Sequence, residues 1–262
     1  MPADLSDTTL VVTCWRRPGY LRQSLESWAA VPEAKALRRF IVAMAPSPQE
    51  AQMRRVIRSV DIGIAAEIRT DSPACAAVPG EHRALGEAIT EAFSDGGCGF
   101  VIASSEDVVV SDDALRYFAW AREQKAGDSS LGPLVVCAHN ETGQGWHDPK
   151  ADDSDADQSA ARFAKAFNPW CWALSRPAWE KVIRPEWDWD CTSGTDPMQH
   201  GWDWQVMRLV HRNGLAITPE ASRARNIGQH GGVYAHPGMF GQTQAKSFRA
   251  VRGDVDYRLE AS

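Results

Sequence analysis

The stretch that most constrains this chain is Gly99-Phe100-Val101-Ile102-Ala103-Ser104-Ser105-Glu106-Asp107-Val108-Val109-Val110. An apolar run follows the turn residues Asp95-Gly96-Gly97 and then meets two carboxylates. Such a run suits a central parallel strand covered on both faces. A carboxylate at its end is costly to bury unless a cation or a hydrogen-bond donor meets it. In open α/β sheets, ligands collect beyond the carboxyl ends of the strands. Asp107 therefore stands where a metal–phosphate site is built, the other reading being a turn whose acids face water.

The remainder alternates strands and helices. Thr8–Cys14 is a first strand, and Trp15-Arg16-Arg17-Pro18-Gly19 a loop. Tyr20 to Ala30 is helical, with Leu21, Leu25 and Trp28 at helical spacing. Phe40–Met44, Ile62–Ile68, Leu134–Cys137, Trp170–Leu174 and Leu215–Thr218 are further strands. Helices are expected through Arg54, Arg55 and Arg58, over Glu81–Phe93, from Asp112-Asp113, over Pro177–Ile183 and over Trp202–His211. His147 to Gln158 is acidic and nearly free of large apolar residues, the pattern of a mobile loop. The alternation predicts a doubly wound, mostly parallel α/β sheet with helices on both faces.

Composition excludes several classes. The formal charge of −6 gives no general attraction for nucleic acid. The charge is uneven, however, with ten Lys/Arg against seven Asp/Glu over residues 1–70. None of the six cysteines forms a C-x-x-C pair, and no Cys/His spacing matches a zinc site. No signal peptide opens the sequence, and no run approaches the roughly 20 apolar residues of a membrane span. The expectation is a cytoplasmic, reduced protein with no membrane partner.

Five constellations bear chemistry. The Arg16/Arg17 pair lies in the first strand-to-helix loop, where guanidinium groups and a helix N-terminus can grip a pyrophosphate. No G-x-G-x-x-G occurs there, which argues against a dinucleotide site. The others are Ser105-Glu106-Asp107, Phe167 to Arg176, Gly201-Trp202-Asp203-Trp204 and Pro219 to Gly228. Eight of the eleven tryptophans lie between Trp146 and Trp204, where they can stack on a sugar or form the core beneath a long loop.

Taken in order, these motifs resemble a GT-A glycosyltransferase, most closely the N-acetylglucosaminyltransferase I family (family 13). Ser105-Glu106-Asp107, with Tyr117-Phe118 after it, is similar to that family's metal motif and the helix that follows. His82-Arg83-Ala84-Leu85-Gly86, His139-Asn140-Glu141-Thr142-Gly143, Phe167–Leu174, Trp202-Asp203-Trp204 and Pro219–Gly228 resemble further family segments. The resemblance spans residues 8–235. It implies one GT-A domain over 1–235, with a nucleotide-binding half (8–110), an acceptor half (111–235) and a C-terminal tail (236–262). It also implies a metal-dependent inverting transferase moving a sugar from a nucleotide sugar to a hydroxyl.

Carried over, Asp107 would hold Mn²⁺ (or Mg²⁺) on the donor diphosphate, and Asp203 would be the general base. Arg16, Arg17, His82, Ser105 and Glu106 would bind the donor. Trp170, Trp172, Trp189 and Trp202 would contact the acceptor, and His230 would complete the metal site, with His236 as a second late histidine. The sequence departs from the family at Ser105, which is not an acid, and at Met44-Ala45-Pro46, where the family's acid is missing. Two acceptor classes are open: a hydroxymethylated pyrimidine in DNA, met by the Arg clusters at 16–17, 38–39 and 54–58, or a glycan or small glycoside. A nucleotide-sugar or carbohydrate-binding module without catalysis is the reading outside enzymology.

Overall fold

The computed structural model describes residues 4–70, 78–125, 132–140, 156–187, 189, 201–213, 215–231 and 254–260. Strands β1 (Thr8–Cys14), β2 (Arg39–Met44), β3 (Ala66–Thr70) and β4 (Phe100–Ser105) form the parallel half of a sheet. β5 (Val108–Val110) follows β4 and pairs with β10 (Ala224–Asn226) in a two-stranded ribbon. β6 (Val135–Cys137), β7 (Ala160–Ala164), β8 (Cys171–Ser175), β9 (Ala216–Pro219) and β11 (Arg258–Leu259) complete the large sheet. Its order is β11-β7-β9-β6-β8-β4-β1-β2-β3, with β8 antiparallel to both β4 and β6.

Helices cover both faces, which explains the unbroken apolar strands. α1 (Pro18–Ala29) and α2 (Glu50–Ser59) pack Leu21, Leu25, Trp28, Met53 and Ile57 against Leu10, Val12, Phe40, Val42 and Ile102. α3 (Val78–Ser94) and α5 (Trp202–Asn213) pack Leu85, Ile89, Phe93, Val206 and Leu209 against Val11, Ile41, Val101 and Ala103. Successive residues of one strand thus feed opposite cores, as a period of two requires. α4 (Ala114–Ala121) lies on the first face with Leu115, Tyr117 and Phe118 buried. Between β8 and α5 the chain makes helical turns over Arg176–Ala178, Trp179–Ile183 and Arg184–Glu186.

β3 begins later than the apolar pattern suggests. Ile62 is buried, but Gly63 adopts φ 85°, its N–H bonded to the Asp61 carboxylate, and this turn holds the chain out of the sheet. Asp113 sits at the N-cap of α4 without a capping bond from its side chain. It faces the interior instead, accepting from Ser111 Oγ at 2.5 Å, Tyr257 Oη at 2.7 Å and Arg223 Nε at 3.3 Å. Asp113 and Arg223 are both fully buried. Arg223 also donates to the Ala221 and Gln158 carbonyls and lies over the Tyr117 ring. Residues 254–260, expected as part of a tail, thereby close onto the core: Tyr257 reaches Asp113, and β11 extends β7. Of the acidic stretch from His147 to Gln158, residues up to Asp155 lie outside the described part.

Candidate active site

The site forms where β1 and β4 end side by side. Their parallel register pairs Thr13 with Ser105, so the chain segments leaving both strands emerge together. The Glu106 N–H donates to the Thr13 carbonyl at 2.9 Å, locking the two ends. Beyond them, Arg17 lies between both acids. Its Nε donates to Glu106 Oε1 at 2.6 Å and its Nη2 to Asp107 Oδ2 at 2.8 Å. Glu106 Oε2 accepts the Trp15 backbone N–H at 2.7 Å. Burial pulls the Arg17 proton affinity down, but the charges of Asp107 and Glu106 outweigh it and leave that affinity raised. Arg17 is thus a permanently charged group fixed at two points.

A third segment covers this cluster. After β10, the Ile227 N–H donates to the Asp107 carbonyl at 2.7 Å. Gly228 then crosses over the carboxylate so closely that a Cβ there would lie 2.1 Å from Asp107 Oδ2 and 2.9 Å from Arg17 Nη1. The His230 N–H donates to Tyr20 Oη, and Arg16, lying 3.8 Å over the Trp15 ring, donates to the Gly231 carbonyl. Arg16, Arg17, Ser105, Glu106, Asp107 and the His230 backbone are therefore gathered at one place. Among the described residues, the Ser105 hydroxyl meets Thr13 Oγ1, at 3.4 Å. Gly228, Trp15 and Tyr20 belong to the same cluster but were not among the expected site residues. Gly228 had a signal in the Gly-rich segment after β10, whereas the other two act through a backbone N–H and a hydroxyl that no spacing reveals.

Asp203 stands on the other face of the sheet, in the first turn of α5. The helix start is fixed by an aromatic stack: Trp202 lies between Trp172 (centroids 5.6 Å apart, 20° interplanar) and Trp187 (6.4 Å, 19°). Trp172 pairs in register with Ala103 of β4, so this stack sits near the same end of the sheet as Asp107. Burial raises the pKa of Asp203, partly offset by the Trp204 N–H that donates to its Oδ1 at 2.9 Å.

Two of the expected contact residues lie buried in the core. Trp172 is 1 % exposed, with Phe167 edge-on to it, so it is a core residue and not an acceptor platform. His82 is also 1 % exposed, edge-on to Trp187 at 4.8 Å on the inward side of α3. Trp170 is half-buried against His139, and Trp189 half-buried beside Trp187, where Gly86 lets the two rings approach α3. The aromatic cluster therefore holds Trp202, the residue before Asp203.

The described side chains around Asp107 offer a divalent ion few free oxygens. Hard cations of this kind take about six oxygen ligands. Asp107 Oδ2 is already bonded to a guanidinium, both Glu106 oxygens are engaged, and Ser105 stands where the resemblance expects an acid. Among the described residues, no group of three or more His, Cys, Asp or Glu side chains could hold a metal, His230 included. Among the described residues of this cluster, Arg17 Nη1 is a buried donor left without a partner, which suits an anion.

An open, mostly parallel sheet with its polar cluster beyond the ends of β1 and β4 defines a mixed α/β fold of GT-A type. The solved structures it matches include known glycosyltransferases. The mannosyltransferase PcManGT from Pyrobaculum calidifontis, in complex with GDP-Man and Mn²⁺, matches with TM-score 0.51 and 14% identity over 81% of this chain and 54% of that one. S. aureus TarS (1–349) in complex with UDP matches with TM-score 0.55 and 11% identity over 83% and 59%. An active-site variant of LgtC matches with TM-score 0.51 and 15% identity over 92% and 85%. The chain thus spans between half and two thirds of the length of the first two. No family model matches it, and neither does any curated protein, so the narrower resemblance to family 13 rests on its motifs alone. Among the described residues, no helix is long and apolar enough to cross a membrane.

Proposed function

We propose that this chain is an inverting glycosyltransferase that moves a sugar from a nucleotide-sugar donor to a hydroxyl of a glycan or glycoside. The observation that carries this reading is the pairing of two sites at one end of a GT-A-type sheet: the Arg16/Arg17–Glu106/Asp107 cluster and the half-buried Asp203. The first matches the chemistry of a diphosphate leaving group, and the second that of a general base.

In the reaction, the acceptor oxygen attacks the anomeric carbon. The bond from that carbon to the diphosphate oxygen breaks, and the diphosphate leaves with the electron pair. Asp203 takes the proton of the acceptor hydroxyl. A single displacement inverts the anomeric centre. The raised pKa of Asp203 brings it nearer the working pH, where a general base contributes about 10²–10⁴-fold. Arg17, fixed by two carboxylates, needs no reorganisation as charge develops on the leaving group.

Several of the arginines that favoured a DNA acceptor are ion-paired: Arg38 with Asp95, Arg39 with Glu67 and Glu91, and Arg54 with Glu50. Arg16, Arg55 and Arg58 stay exposed, but the net charge of −6 gives no general attraction to a phosphate backbone, so the glycan or glycoside acceptor is preferred. The test is a turnover assay over a panel of nucleotide sugars with simple glycoside acceptors. Transfer that is lost in Asp203→Asn while donor binding persists supports the reading. Donor binding without turnover in the unaltered protein would leave a carbohydrate-binding module instead.

A further inference from the structure

We propose that Arg17 is the site's own cation, and that the donor diphosphate is bound by its guanidinium without a divalent metal. The inference rests on the nucleotide-sugar reading above. Three observations on one side chain carry it. Arg17 is held at Nε by Glu106 and at Nη2 by Asp107, so its orientation is fixed from two sides. Its remaining nitrogen, Nη1, is buried and has no hydrogen-bond partner among the described residues. Residue 228, which passes beside that nitrogen, is glycine, and a Cβ there would approach Nη1 to 2.9 Å.

An unmade bond from a charged donor is a standing cost, and an anionic oxygen relieves it. A second cation at the same place would do the opposite. The charges allow an anion to approach: Glu106 and Asp107 are balanced by Arg17 and by Arg16, which lies exposed beside the same loop. The positive end of α1, which starts at Pro18 with no acid in its first turn, adds to this. Segment 228–231 passes beside Nη1, and among the described residues its outer end is held by the Tyr20 hydroxyl and Arg16. A phosphate oxygen reaches Nη1 when that outer end lifts. Asp107 then acts as a positioning residue for Arg17 and not as a metal ligand.

The two assignments of Asp107 predict opposite results. Calorimetric titrations of the full chain with UDP, GDP and inorganic pyrophosphate are run in EDTA and again in Mn²⁺. Affinity within about threefold between the two conditions is expected for whichever nucleotide binds. Asp107→Asn keeps an acceptor for Nη2 and removes a negative charge, so it should bind as tightly as the unaltered protein or a few-fold tighter. Arg17→Gln should bind about 10–100-fold more weakly, the worth of a hydrogen bond to a charged group. Since Arg17→Gln leaves two acids unpaired, Arg17→Gln/Asp107→Asn is measured beside it, with melting curves for both. Binding that requires Mn²⁺, or a loss beyond tenfold in Asp107→Asn, overturns the proposal. Arg17-dependent pyrophosphate binding with no nucleotide binding would keep the anion site and overturn the nucleotide-sugar reading. Absence of binding by all three probes overturns both.

Discussion

Gly228→Ala tests the packing of the site most directly. The new Cβ would lie 2.1 Å from Asp107 Oδ2, where carbon and oxygen need about 3.3 Å even in a close contact. One of them must retreat by more than about 1 Å. Gly228 does not have a positive φ, so backbone strain is no part of the cost. The Ile227 N–H bond to the Asp107 carbonyl ties the two segments together, which leaves the carboxylate to move. That movement ends the 2.8 Å bond to Arg17 Nη2. A lost hydrogen bond between charged groups costs about 1.5–3 kcal/mol, and an unpaired buried carboxylate adds to it. The expected loss of stability is about 2–4 kcal/mol by urea unfolding, a fall of roughly 4–8 °C in Tm for a chain of this size. In an Asp107→Ala background there is no carboxylate to displace, so the same substitution should cost under about 1 kcal/mol. A cost below about 0.5 kcal/mol in the unaltered protein, or an equal cost in both backgrounds, would refute the reasoning.

Asp203→Asn should lower turnover by about 10²–10⁴-fold with donor affinity unchanged, and single-turnover assays separate the two effects. Because burial raises the Asp203 pKa and the base acts deprotonated, turnover of the unaltered protein should rise with pH through a point above the ordinary carboxylate value. The sign for stability is opposite: the folded state holds this proton more tightly, so the contribution is present at low pH and fades as pH rises through the raised value. Asn at 203 should abolish that dependence in pH-resolved unfolding. Arg223→Met should cost about 3–5 kcal/mol in urea unfolding, since it strands the fully buried Asp113, and Asp113→Asn in the same chain should recover part of it. Trp172→Ala should cost about 3–5 kcal/mol, because it empties a buried stack, while Trp170→Ala, at a half-buried ring, should cost much less.

The parallel half of the fold was legible because its signals are local. Apolar runs at β1, β2 and β4 are long enough to mark strands, and the helical spacing of Leu21, Leu25 and Trp28 marks α1. The acids at 106 and 107 were legible for the same reason, as charges ending a buried run. β7, β10 and β11 were not legible. They are two to five residues long, and partners distant in sequence fix them. Residues 254–260 looked like a tail because nothing near them explains why they fold back. Their anchor is Asp113, 144 positions from Tyr257 in sequence.

In the site, sequence alone determined which residues carry charge and roughly which strand ends hold them. It could not say what meets those charges. Asp107 next to a strand end reads equally as a metal ligand or as half of an ion pair, and the choice depends on Arg17, 90 residues earlier, being brought within 2.8 Å by the β1–β4 register. The tryptophans show the same limit. Trp170 and Trp172 are alike in composition and two residues apart, yet β8 begins at Cys171, so pairing with β4 turns Trp172 into the core and leaves Trp170 at the rim. Hydrophobic pattern is a property of neighbours in the chain, whereas burial, charge pairing and access are set by which distant segments share a strand register, and only the tertiary structure decides that.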